Sequence, residues 1–123
     1  HASPVEDRLR VLEQARAAGL RTSVMFGPLL PFLYDAYESI YALLERAAAL
    51  RVDTIWVDAF NPWPMVWEAT ASLLDKEFPG LRERYQRVLF STPVRNAYLA
   101  ALRGHIATAA ERLRITNRVS TCV

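Results

Sequence analysis

The stretch Arg21-Thr22-Ser23-Val24-Met25-Phe26-Gly27-Pro28 decides the fold. It is short, partly β-branched, apolar toward its end and stopped by Gly-Pro, which reads as a buried strand over Arg21 to Phe26. The residues after it, Gly27 to Tyr34, contain two prolines, Pro28 and Pro31. Each removes a backbone donor and restricts its predecessor, so a stiff apolar loop is expected there. Downstream, Thr54-Ile55-Trp56-Val57-Asp58-Ala59-Phe60 is the clearest strand in the chain, closed by Asn61-Pro62-Trp63-Pro64.

Helices flank these strands. Ser3-Pro4-Val5-Glu6 has the residues of a capping box, with Val5, Leu9, Leu12 and Ala15 on one face and Gly19 placed to end the helix in a left-handed turn. Asp35 with Glu38 predicts a second capping box, before the stripe Ile40, Leu43, Leu44, Ala47 and Ala48. Pro64 opens a third helix with Val66, Trp67, Leu73, Leu74 and Phe78 inward, and Leu81 to Phe90 forms a fourth, facing in with Leu81, Tyr85, Val88 and Leu89. Thr92-Pro93 caps the last, whose stripe runs Val94, Tyr98, Ala101, Leu102, Ile106, Ala109 and Leu113. Ile115 to Val123 has no clear period and is expected to fray.

The order helix, strand, helix, strand, then three helices predicts an α/β architecture with a parallel sheet and right-handed crossovers. Two parallel strands alone leave two open edges and much uncovered apolar surface, so the expectation is a portion of a larger barrel or sheet. Residues 1–62 supply two helix-strand units and residues 63–123 a helical end, within one incomplete domain. At 123 residues, 52% hydrophobic and 23% charged, the chain has the composition of one globular domain and not of a disordered segment. No apolar run approaches the ~20 residues that cross a bilayer, and a cytoplasmic location with no membrane contact is the expectation. Cys122, the single cysteine, excludes an internal disulfide or a cysteine-held metal within these residues.

In parallel α/β folds chemistry collects where strands finish. Gly27-Pro28 begins a rigid apolar loop and permits close backbone approach, as a planar ring stacking on it requires; the plainer reading is a turn that only ends a strand. Asp58 and Asn61 add polar groups at the end of the second strand, Asp58 as a ribose or metal ligand or as a carboxylate capping its own loop.

At these residues the chain resembles the radical S-adenosylmethionine (SAM) enzymes, in the branch similar to spore photoproduct lyase and termed DNA repair photolyase-like. The likeness rests on Ser3-Pro4-Val5-Glu6-Asp7-Arg8-Leu9, Ala17-Ala18-Gly19-Leu20-Arg21-Thr22, Val24-Met25-Phe26-Gly27-Pro28-Leu29-Leu30-Pro31 with Asp35, and Ala48-Ala49-Leu50-Arg51-Val52-Asp53. It extends roughly over residues 2–90, with Phe78-Pro79 echoing the closing helix. It implies the C-terminal portion of a partial (β/α)6 TIM-like barrel, with Arg21 to Phe26 and Thr54 to Phe60 as its fifth and sixth strands. It further implies that Met25, Phe26, Gly27 and Pro28 wall the adenine of SAM, that Asp58 and Asn61 lie near the same nucleoside, and that Arg8 reaches the cofactor carboxylate bidentately. The family pattern has Gly and Asn where this chain has Phe32 and Tyr34. The three cysteines of C-x3-C-x2-C, which hold a four-iron four-sulfur (4Fe-4S) cluster, are not in this chain, so the cluster belongs to an intact parent with the N-terminal half of the barrel as partner. The isolated segment then shapes a binding site and transfers no electrons.

Trp56, Trp63 and Trp67 at strand and helix spacing are expected in the core rather than on a base-stacking surface. His1 and His105 have no second ligand at fixed spacing. The basic residues number 6 against 8 acidic up to Asn61 and 9 against 5 beyond it, and Arg82, Arg84, Arg87, Arg95, Arg103, Arg112 and Arg114 make the second half basic. This supports the alternative: a stand-alone α/β interaction module with a basic helical face, contacting nucleic acid and not an enzyme. The tail of an unrelated TIM-barrel enzyme is a further competitor, to which the same strand-end logic applies.

Overall fold

A computed structural model describes residues 3–123; His1 lies outside them. The elements run α1 (Val5–Ala17), β1 (Ser23–Leu29), α2 (Tyr37–Ala49), β2 (Thr54–Ala59), α3 (Pro64–Glu77), α4 (Leu81–Phe90), α5 (Thr92–Arg112), a 3-10 turn (Thr116–Arg118) and β3 (Val119–Thr121). The sheet has the order β1-β2-β3 and is parallel throughout, with Met25 beside Trp56 and Trp56 beside Ser120. Two strands were expected and three are present. The segment read as frayed folds back through the turn at Thr116–Arg118, and Cys122 N–H donates to the carbonyl of Val57 at 3.0 Å. Val119 and Thr121 are β-branched, but three residues are too short a run to show a period.

Alternation along β2 sorts the two faces. Ile55, Val57 and Ala59 are buried under α2 and α5, with Ile40, Leu44, Leu102 and Ile106. Thr54, Trp56 and Asp58 point the other way, as do Ser23, Met25 and Gly27 of β1. That second face is bare: Met25 is 62% and Trp56 38% exposed. A smaller cluster of Phe60, Leu74, Tyr85 and Leu89, joined by Phe32 and Trp67, fills the space between α3, α4 and the loop after β1. Trp67 is thus interior, whereas Trp56 and Trp63 (71% exposed) are not, so aromatic spacing overstated the core. Val66, Leu73 and Phe78 are likewise exposed, because α3 turns only its Trp67, Ala71 and Leu74 side inward.

Several local expectations are corrected. β1 does not stop at Phe26 but continues through Gly27-Pro28 to Leu29, with a register shift against β2. As the edge strand it tolerates a proline, whose missing N–H has no ladder partner to lose on the free side. The capping boxes do not form. α1 begins behind Pro4, and Glu6 instead receives Arg46 at 2.8 Å. α2 begins behind Ala36, because the Asp35 carboxylate accepts the Phe32 N–H at 2.9 Å. Thr92 is the first residue of α5 rather than its cap. α1 buries none of its side chains, although Leu12 touches the main core. Gly19 behaves as expected, at φ 78°, with Leu20 N–H donating to the Ala15 carbonyl at 3.0 Å.

Candidate functional site

Arg8, Met25, Phe26, Gly27 and Pro28 line one groove of about 810 Å³ between α1 and the free edge of β1. Their side chains do not share a direction. Met25 and Gly27 belong to the bare face, while Phe26 packs with Leu29, Ile40 and Leu44 on the helix side. Arg8 reaches the groove from an exposed turn of α1.

Asp58 stands directly beside Gly27 on the bare face. A methyl group built at Gly27 would lie 2.8 Å from the Asp58 Cβ, so the missing side chain admits Asp58 rather than leaving a hollow for a flat ligand. One carboxylate oxygen of Asp58, Oδ1, is buried without a hydrogen-bond partner. Asp58 is not among the residues that line the groove, and its Oδ1 is closed off from the surface. Asn61 is exposed beyond the strand, and its Oδ1 accepts from Arg95 Nη2 at 3.2 Å.

A second polar group at the same end of the sheet was not legible in the sequence. Tyr85 is fully buried, with Phe32 edge-on at 5.9 Å and Phe60 at 6.3 Å. Its hydroxyl, that of Tyr98 and Arg95 Nη1 all lack partners. Burial, helped by the nearby Asp35 carboxylate, pushes Tyr85 up to about 12 and raises Tyr98 as well, so both stay protonated donors. Both tyrosines sit at apolar-stripe positions, so spacing gave no sign of their buried hydroxyls. Phe32 itself has φ 65°, a left-handed conformation that favours glycine. The Asp35 hydrogen bond, the Tyr85 ring and the Arg84 guanidinium, 4.1 Å above the Phe32 ring, hold it there.

Among the described residues, no group of three or more His, Cys, Asp or Glu side chains is placed to hold a metal, and no helix is long and apolar enough to cross a membrane. Cys122 is exposed and alone. Five of the seven arginines read as a basic face have partners within the chain. Arg82 pairs with Asp75, Arg84 covers Phe32, Arg95 holds Asn61, Arg103 reaches the Val123 carbonyl and Arg112 lies over Tyr37. Comparison with protein-family models, with curated proteins and with solved structures finds no match to this chain.

Proposed function

We propose that this chain is the C-terminal portion of a radical SAM enzyme barrel of the spore photoproduct lyase-like branch, and that it walls the adenosine and substrate site without holding the cluster. The observation that carries the reading is the one-sided parallel sheet. Its helices cover one face, and Met25, Gly27 and Asp58 lie together on the other, where a closed barrel keeps its interior. Parallel sheets are normally covered on both faces, so a bare one with an exposed Met and Trp fits a barrel wall. The glycine-type backbone at Phe32 supports the same reading, since the family pattern has glycine at that place.

The residues fit the two expected groups differently. No ligand set for an iron-sulfur cluster is present among the described residues. For SAM, the half-buried Asp58 carboxylate is the polar group at the end of β2 and Met25 offers apolar contact. SAM, when bound in the intact enzyme, supplies reductive cleavage followed by hydrogen abstraction from substrate. This chain's residues orient the nucleoside and exclude water on one side of it.

The test is the coding sequence immediately upstream of the His1 codon. An in-frame C-x3-C-x2-C is the expected result. A stop codon there, with a start beside His1, overturns the reading and leaves the self-contained interaction module.

A further inference from the structure

We propose that the outer face of α3 is a symmetric interface, at which two copies of this chain pair through antiparallel α3 helices. Met65, Ala69 and Leu73 follow one another at four-residue spacing, with Val66 beside them, and so share one face of the helix. That face is bare: Met65 is 83%, Leu73 50% and Val66 43% exposed, and Ala69 is exposed as well. The opposite face, with Trp67, Ala71 and Leu74, is turned inward and packs chiefly on α4. A helix that is apolar on two sides is suited to be covered on both, and here only one is. Glu68 and Asp75 keep to a single flank, where Asp75 pairs with Arg82, so the stripe itself carries no charge before Lys76.

The two ends of the helix identify the occupant. At its start α3 has exposed Trp63 (71%), no side-chain cap and no acidic residue in the first turn. At its finish it has exposed Lys76 and Glu77. Two such helices laid antiparallel about Ala69, whose small side chain permits close approach, set Met65 of one copy against Leu73 of the other. Lys76 then comes over the Trp63 ring and Glu77 comes to the uncapped, positive helix start, each end meeting its complement. Every contact occurs twice, as a two-fold axis requires, so the face complements itself. Covering it in a pair removes about 1,000 Å², the lower limit of a specific interface, which predicts a weak dimer with a Kd of about 10–100 µM. No residue of α3 lines the groove beside β1, so the pairing holds whether or not the chain serves a SAM enzyme.

The test is sedimentation equilibrium of the 123-residue chain from about 1 µM to about 1 mM, where a monomer–dimer equilibrium is expected. Met65→Glu and Leu73→Lys change exposed side chains, so the fold survives them, as thermal melts will show. Each is expected to weaken the dimer by about tenfold or more, because a charge then faces an apolar side chain at two places. The double variant, Met65→Glu with Leu73→Lys in one chain, sets opposite charges across both halves of an antiparallel pair. It should regain about tenfold over either single variant at low salt and lose that gain at high salt. Leu20→Glu, an equally exposed apolar residue away from α3, should leave the Kd unchanged. The proposal is overturned if the chain stays monomeric throughout, if neither single variant weakens the dimer, if Leu20→Glu weakens it as much, or if the double variant associates no better than the single ones.

Discussion

Gly27→Ala tests whether β1 and β2 meet as closely as described. The added carbon falls 2.8 Å from the Asp58 Cβ, 3.3 Å from the Asp58 carbonyl oxygen and 3.4 Å from its Cα. Carbon pairs rest at about 3.5–4.0 Å, so the strand or the aspartate must move. Overpacking of this kind costs about 1–3 kcal/mol, offset by roughly 0.4–1 kcal/mol from the smaller freedom of the unfolded chain. The net loss is about 1–2 kcal/mol. An unfolding entropy of about 2.1 cal/mol/K per residue over 123 residues makes that a fall of about 4–8 °C in Tm. Gly104→Ala is the control: nothing lies within 4 Å of the added carbon in α5, so the same change should stabilise by about 0.5–1 kcal/mol. In an Asp58→Gly background the cost of Gly27→Ala should drop by about 1 kcal/mol, leaving only the tight backbone contacts. Thermal melts of the four chains of the cycle, with the control, decide the matter. A neutral Gly27→Ala, or an equal cost in both backgrounds, refutes the contact.

Other outcomes follow from the same structure. Tyr85→Phe removes a buried hydroxyl with no partner, so stability at neutral pH should change by less than about 0.5 kcal/mol or rise; a loss above about 1 kcal/mol in denaturant titration would reveal a bridging water. Tyr85 is raised in the folded state, so its contribution is full below about pH 10 and is lost as pH rises toward its folded value of about 12. Alkaline unfolding should therefore shift upward in Tyr85→Phe. Asp53 is lowered chiefly by the Thr22 N–H it accepts at 2.8 Å and further by Arg16, so its contribution is present above about pH 4 and fades as acid titrates it. Asp53→Asn should flatten that part of an acid melt. In the longer enzyme of the proposed reading, Asp58→Asn should weaken SAM binding by about 10-fold or more, measured by calorimetry, and an unchanged affinity removes Asp58 from the nucleoside.

Local pattern carried most of the architecture and little of its completion. Thr54–Ala59 announced itself by β-branched and aromatic residues, and the stripes of α2 and α5 named Ile40, Leu44, Leu102 and Ile106, which are buried. β3 was invisible because its reason to exist is the edge of β2, a partner far away in sequence. The capping boxes failed for a related reason: Glu6 and Asp35 had stronger partners in Arg46 and the Phe32 backbone. The site was legible as a set of residues near strand ends. Its arrangement was not, since only pairing register puts Gly27 beside Asp58, and only the packing of α4 and α5 gathers Tyr85, Tyr98 and Arg95.

The sheet's two borders are unequal. β1 offers seven residues and β3 three. Short border strands give a neighbouring molecule little to template on, whereas a long one gives it a full ladder. Growth by sheet addition can then proceed from one border only. A molecule with a single adhesive border joins one other and the assembly is finished, whereas two such borders permit a fibril. Deleting residues 116–123 should uncover β2 as a second long border and permit open-ended aggregation, visible as thioflavin fluorescence above that of the 123-residue chain.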